Sequence, residues 1–237
     1  MINIFFNVDD NYISKCKTVI RSILAHSNAD ITFYIIGVKN FEYKANIRCY
    51  DKPDLSSLNY KTQIRYISMA STYRLFAPYI LDVNKAIYLD CDLVVLDDIE
   101  KLWRVEPEYL AGVQDPLFTK HANRNGLRHT YINSGVMVIN LENLRQINYL
   151  DRIKATQNGF YDLSLLDQDI INIAFENEIE LLPLEWNVYS KIYPETTYDM
   201  IKARDNPSII HWCGCQKPWN SNVWQADKWS KYEHREF

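Results

Sequence analysis

Within its first forty residues the chain changes its hydrophobic period from two to 3.6 and back, and this alternation limits the folds open to it. Residues 2–8 are rich in β-formers. Residues 12–26 place Ile13, Cys16, Val19, Ile20, Ile23 and Leu24 at helical spacing, and residues 31–38 return to a strand-like run. Strand, helix and strand in so short a span predict a parallel βαβ unit, because a parallel neighbour is reached only through a crossover.

The rest of the chain extends this α/β reading. Weaker strand character lies at 46–50, a helix at 68–79 with Ser68 as its cap, and strands at 85–89, 93–96, 109–113 and 134–140. A short turn or helix is expected at 99–103, helices at 149–157 and 167–176, and late strands at 180–182 and 208–211. Residues 116–130 show no period and carry Lys120, His121, Arg124, Arg128 and His129; they read either as a binding loop or as a solvated basic loop. A chain of 237 residues fits one large domain that buries roughly 70% of its unfolded surface, and no repeat or composition break marks a second.

Several function classes recede on charge and cysteine usage. The formal net charge is −4 and no long Lys/Arg block occurs, which argues against a nucleic-acid partner. No apolar run approaches the ~18 residues of a transmembrane span, and residues 1–8 read as a first strand rather than a signal. The five cysteines form no CxxC pair or zinc spacing, as expected in a reducing cytoplasm, and Cys213-x-Cys215 reads as packing rather than redox chemistry.

The chemistry concentrates at Asp90-Cys91-Asp92. In an extended chain, positions i and i+2 share a face, so two carboxylates there can grip one hard cation. They interrupt an apolar run, 85–96, where unpaired charge is costly. His211 ends a distant strand and precedes Gly214 and Lys217, a glycine for close backbone approach and a cation for phosphate. Two Asp and one His suit Mn²⁺ better than Ca²⁺, with Mg²⁺ also admitted. At the end of the first strand, Asn7, Asp9, Asn11 and Tyr12 offer amides, a carboxylate and a ring for a pyrimidine base; the same residues also fit an ordinary capped strand-to-helix connection.

Taken in order, these pieces resemble the retaining glycosyltransferases of family 8, the group that includes glycogenin and the bacterial lipooligosaccharide galactosyltransferases. The resemblance is carried by residues 7–12, Ser71-Thr72-Tyr73-Arg74-Leu75, Tyr88-Leu89-Asp90-Cys91-Asp92, Asn133-Ser134-Gly135-Val136 through Asn140-Leu141, Asp167-Gln168-Asp169, and His211-x-x-Gly214-x-x-Lys217-Pro218-Trp219. It implies a GT-A fold: a single Rossmann-like nucleotide-sugar domain over 1–237 with a mixed, mostly parallel sheet flanked by helices. Residues 1–115 would form the nucleotide-binding half, and 116–237 the acceptor-side half with the C-terminal metal and pyrophosphate segment.

The resemblance further implies transfer of galactose or glucose from a UDP-sugar, with retention, to a glycan acceptor such as lipopolysaccharide, capsule or another surface glycoconjugate. Asp90, Asp92 and His211 would bind Mn²⁺; Asn7, Asp9, Asn11 and Tyr12 would hold uridine, and the backbone of Cys91 the ribose. Gly214 and Lys217 would hold the pyrophosphate, while Arg74, Asp115, Asn133, Ser134, Asp167 and Gln168 would surround the donor sugar. Gln168 and Asp167 are the candidates beneath the anomeric carbon; an amide is a poor nucleophile, so same-face attack is favoured over a covalent intermediate.

Two departures from the family pattern stand out. Residues 38–46 leave no room for the helix usually placed after the second strand, and the chain stops soon after Trp219 without a long basic tail. A cytoplasmic location is expected, with peripheral association at the inner membrane face left open. Trp212, Trp219, Trp224 and Trp229 suggest sugar stacking at the acceptor side, yet tryptophans more often serve as core. The basic residues of 120–129 would favour an anionic acceptor. A nucleotidyltransferase would need a glycine-rich loop where Val8-Asp9-Asp10-Asn11 stands, and a non-catalytic carbohydrate-binding protein would be expected to have lost a carboxylate or the histidine.

Overall fold

The first strand, β1 (Ile2–Asn7), is buried at every position, so both of its faces need cover. The computed structural model, which describes residues 1–56, 58, 68–128, 130–159 and 161–234, provides that cover from two sides. Ile2, Ile4 and Phe6 enter one core with Val19, Ile20 and Ile23 of helix α1 (Ile13–His26). Phe5, on the alternate face, enters another with Leu75, Tyr88 and Met137.

The remaining strands are β2 (Ile31–Ile36), β3 (Asn46–Tyr50), β4 (Lys85–Leu89), β5 (Leu93–Val95), β6 (Leu110–Gln114), β7 (Ile132–Asn140), β8 (Ile179–Leu181), β9 (Val188–Tyr189) and β10 (Ile209–His211). The main sheet has the order β3-β2-β1-β4-β7-β6-β8, and β5-β10-β9 form a small second sheet. Pairs β1/β2, β1/β4, β2/β3 and β6/β8 are parallel, while β4/β7 and β6/β7 are antiparallel. This is the expected mixed, mostly parallel sheet, with strands from both expected halves sharing it. The chain runs outward from β1 to β2 and β3 on one side, then returns to β4 on the other. That reversal opens a crevice beyond the carboxyl ends of β1 and β4.

Residues 37–45 join parallel β2 to β3 without a helix, as the short spacing required. The turn begins at Gly37, where φ is +117° and a Cβ would lie 2.4 Å from the carbonyl oxygen of Val8, so only glycine fits.

Elsewhere the local structure departs from the expectation. The helix of 68–79 is a 3-10 segment, Met69–Phe76, capped by Ser68 and followed by one α-helical turn, Ala77–Ile80. The segment 116–130 holds a helix, Phe118–Asn125, closed by Gly126 at φ +71°. Only His121 and Ala122 of that helix are buried, which is too few apolar side chains for a period to show. Helices Leu141–Gln146, Tyr198–Ala203 and Ala226–Glu233 were not anticipated. Among the described residues no helix is long and apolar enough to cross a membrane.

The tryptophans belong to the core rather than to a sugar platform. Trp212 and Trp229 are fully buried, and Trp219 and Trp224 pack half-buried against them. Trp229 meets Trp212 edge-on at 6.0 Å and Trp219 at 4.9 Å, fastening the C-terminal helix to the core that contains α1. Removing the Trp229 ring leaves a void that the surrounding rings are too rigid to fill. Trp229→Ala is expected to lower unfolding free energy by about 3–5 kcal/mol, read by urea denaturation.

Candidate active site

Strand register brings the sequence-distant candidates to one place. Ile4 lies opposite Ile87 and Phe5 opposite Tyr88, so Asn7 and Asp90 leave the sheet at one level. On the other side of β4, Leu89 faces Val136, and the Asp90 N–H donates to the Gly135 carbonyl at 2.8 Å. A bulge between Gly112 and Val113 sets Val113 beside Asn133 and delivers Asp115 to the same edge. In the small sheet His211 pairs with Leu93, and the Trp212 N–H donates to the Asp92 carbonyl at 3.0 Å, which locks the histidine strand next to the acid pair.

These strand ends line a cleft of about 480 Å³. Of the residues singled out from the sequence, Asn7, Asp9, Tyr12, Arg74, Asp90, Cys91, Asp92, Asp115, Asn133, Ser134, Asp167, Gln168, His211, Gly214 and Lys217 line it. Asn11 does not: it is exposed on the 3-10 turn Asp10–Tyr12, where its N–H donates to the Asp9 carboxylate at 3.0 Å. The thiol of Cys91 turns inward, 3.8 Å from the Asn7 carbonyl.

Arg74 is the charged centre of this edge. Its guanidinium reaches Asp90 at 2.9 Å and Asp167 at 3.2 Å, donates to the carbonyls of Ser71 and Ser134, and stacks 3.9 Å over the Tyr88 ring. Burial opposes its charge, but Asp167, Tyr88 and Asp90 more than compensate and hold its pKa above the ordinary value. Burial pushes the Asp167 carboxyl up despite that arginine. Tyr88 also donates to Asp90 at 2.5 Å.

Behind the arginine, Asp167 and Gln168 open the helix Asp167–Ala174 directly after Leu166, a non-glycine residue at φ +49°. Ser134 Oγ donates to Asp167 at 3.1 Å. The Gln168 carbonyl accepts from Asn133 Nδ2 at 2.8 Å and from the Ser134 N–H at 3.2 Å, while its amide nitrogen donates to Asp115 at 3.2 Å. Asp169 is a structural anchor, bound by Tyr131, Arg124 and the Leu165 N–H.

On the opposite wall, one ligand atom each from Asp90, Asp92 and His211 lies within 4.8 Å of the others. His211 Nε2 is 3.0 Å from Asp92 Oδ1 and 3.6 Å from Asp90 Oδ2. Lys217 pairs with the other oxygen of Asp92 and donates to the Trp212 carbonyl at 2.9 Å. Burial works against ionising Asp92, yet Lys217 and His211 hold its carboxyl below the usual carboxylate range.

A family model for glycosyl transferase family 8 matches residues 3–223. The chain belongs to that family. It is 29% identical to general stress protein A of Bacillus subtilis over 91% of this chain and 86% of that one. It is 27% identical to the glycosyltransferase GlyF of Streptococcus pneumoniae over 92% of this chain, though it spans only 57% of GlyF. Among solved structures, the galactosyltransferase LgtC in complex with donor and acceptor sugar analogues superposes with a TM-score of 0.78 at 22% identity, covering 98% of this chain and 95% of that one. The glycosyltransferase GlyE of Streptococcus pneumoniae gives 0.74 at 20% identity, covering 99% and 60%. The fold is GT-A, and the chain is a glycosyltransferase.

In this glycosyltransferase Gly135 sits against the acid pair and the histidine. A Cβ on Gly135 would lie 2.6 Å from Asp90 Oδ2 and 2.3 Å from His211 Cε1, so glycine keeps the space between those two side chains open. Two carboxylates with an imidazole form a donor set suited to a divalent transition metal. At the β1 end of the cleft, Asn7 donates to the Ser71 carbonyl at 3.2 Å, leaving its buried Oδ1 without a hydrogen-bond donor.

Sequence reasoning missed Tyr189 and Asn187, and it quoted Tyr88 and Gly135 within motifs without giving them a role at the site. A glycine inside a strand run was a usable signal; Asn187, in an irregular stretch after Pro183, carried none. The basic residues of 120–129 do not act together. Lys120 is exposed at the cleft rim and Arg128 is exposed, but Arg124 is tied to Asp162 and Asp169, and His121 is buried against Tyr131. His129 lies outside the described residues.

Removing Arg74 would leave Asp90 and Asp167 facing each other without a cation. Arg74→Ala is expected to cost about 3–5 kcal/mol of stability in urea unfolding, with Arg74→Lys recovering only part because a point charge cannot span both carboxylates.

Proposed function

We propose that this glycosyltransferase is a retaining hexosyltransferase that moves galactose or glucose from a UDP-sugar to a glycan acceptor, with Asp90, Asp92 and His211 holding Mn²⁺ or, alternatively, Mg²⁺. The observation that carries the reading is the convergence of those three ligand atoms in the switch-point crevice, a short step from Asn7. Charge supports it. Asp9, Asp90, Asp92, Asp115 and Asp167 line the cleft against Arg74, Lys120 and Lys217, and Arg74 is already committed to two of the acids. A diphosphate entering so acidic a cleft needs further positive charge.

The roles then follow from position. Asn7, Asp9 and Tyr12 line the part of the cleft that would hold uridine, with Cys91 next to the ribose. Gly214, at φ +86° with open space around its Cα, lets backbone approach the pyrophosphate, and Lys217 supplies a point charge there. Asp115, Asn133, Ser134, Asp167 and Gln168 surround the hexose, with Arg74 orienting Asp167. The bound cation supplies Lewis-acid charge to the departing diphosphate.

The hydrogen bonds favour same-face attack. Gln168 Oε1 already accepts from two donors, and the Asp167 oxygen Oδ2 from Arg74 and Ser134, which weakens both of these oxygens as nucleophiles toward the anomeric carbon. The acceptor hydroxyl would form its bond to the anomeric carbon as the sugar–phosphate bond breaks. Its proton would pass to the departing phosphate oxygen.

We further read 1–237 as one glycosyltransferase domain with a nucleotide-binding half, 1–115, and an acceptor-side half, 116–237, acting in the cytoplasm with peripheral membrane contact for a surface-glycan acceptor. With Arg124 neutralised, an anionic acceptor would meet Lys120 at the rim.

Incubation with Mn²⁺ and a panel of UDP-sugars, followed by UDP release, tests the reading; no binding or turnover of any UDP-sugar would sink it. Asp92→Ala is expected to lower kcat/KM by about a hundredfold or more. Gln168→Ala is expected to keep measurable turnover, reduced by about a hundredfold through lost positioning. Abolished turnover with a trapped glycosyl-enzyme in the parent protein would favour the covalent route instead.

A further inference from the structure

The wall behind the acid–histidine cluster contains a buried hydrogen-bond chain whose direction is set by groups that cannot reverse. The N–H of Gly135 donates to Asn133 Oδ1 at 3.0 Å, and a backbone N–H is a donor only, so that atom of Asn133 is the carbonyl oxygen. The N–H of Ser134 identifies the Gln168 carbonyl in the same way, and Asn133 donates its own amide to it. Asn187 approaches Asn133 Oδ1 at 2.8 Å and must therefore present its NH₂ group there. Its own carbonyl oxygen is then turned to His211 Nδ1, 2.9 Å away, and that nitrogen has to donate. Both Asn187 and His211 are buried, at 5% and 2% exposure, which shuts out water, and the Cys213 thiol is a further side chain that interacts with the ring.

We propose that Asn187 is a positioning residue for the metal site, one that fixes His211 in the Nδ1–H form and turns its Nε2 toward the space shared with Asp90 and Asp92. A ring rotated by half a turn would put Cδ2 against the Asn187 carbonyl and Cε1 where Nε2 stands, losing the hydrogen bond and removing a ligand from the cluster. Asn187 reaches its place because β9 runs parallel to β10, with Val188 opposite Ile210 and Tyr189 opposite His211. The same chain ties the histidine to Gln168 through Asn133, so the cation wall and the sugar wall share one set of oriented amides.

The inference rests on the metal reading above, and the test separates the two. Titration calorimetry with Mn²⁺ is run on the parent protein, Asn187→Leu and Asn187→Asp. The leucine variant removes the acceptor for Nδ1–H; the aspartate variant keeps it. Asn187→Leu is expected to weaken Mn²⁺ binding by about 10- to 100-fold, and Asn187→Asp to restore it to within a few-fold. Equal affinity of parent and leucine variant overturns the role of Asn187 and leaves the metal reading standing. A parent protein that takes up no Mn²⁺ overturns both.

A second measurement needs no substitution. Long-range ¹H–¹⁵N spectra of the parent protein loaded with diamagnetic Cd²⁺ should show His211 protonated on Nδ1 and metallated on Nε2. The reverse assignment would overturn the proposal.

Discussion

A buried guanidinium shared by two carboxylates organises this protein. Arg74 comes from the 3-10 segment Met69–Phe76, Asp90 from the end of β4, Asp167 from the first turn of the helix Asp167–Ala174, and the Ser134 carbonyl from β7. None of these elements packs correctly unless the others are in place, because each would otherwise bury an unpaired charge or an unmet donor. Tyr88 completes the arrangement by covering the arginine face and donating to Asp90. Asp90 thus serves both sides of the cleft: one oxygen faces the arginine, the other faces His211.

This division of charge explains why the cleft is asymmetric. One wall is internally satisfied, with Asp115, Asn133, Asp167 and Gln168 hydrogen-bonded to one another or to fixed neighbours. The opposite wall is held by Lys217 on Asp92 and by a histidine wedged against two carboxylates, with a glycine guarding the gap. In the proposed reading the rigid wall would position the hexose and the acidic wall would hold the cation.

Much of this was legible residue by residue. The period change across residues 2–38 gave away the βαβ start, and two acids in an apolar run marked a place where charge had to be compensated. Other parts were opaque for physical reasons. The helix Phe118–Asn125 shows no period because only His121 and Ala122 face inward. Arg124 looked like part of a basic surface, yet it neutralises Asp169 and Asp162, which lie 45 and 38 positions away. The tryptophans offered sugar stacking as well as the commoner core role; Trp212 and Trp229 are fully buried in the core, and Trp219 and Trp224 pack partly buried against it.

The sequence by itself determined the order of the main strands and of the strongly periodic helices and the kinds of atoms available for chemistry, because periodicity and residue type are local properties. The tertiary structure alone decided which atoms face one another. Asn7 and Asp90 meet through the parallel register of β1 with β4; Asp92 and His211 meet through the pairing of β5 with β10; Asn187 reaches His211 because β9 runs beside β10. A one-residue slip in any of these pairings would carry a side chain to the opposite face of its sheet. Asp90-Cys91-Asp92 announces a charged strand end, but its partners are selected by long-range register, which local sequence does not encode.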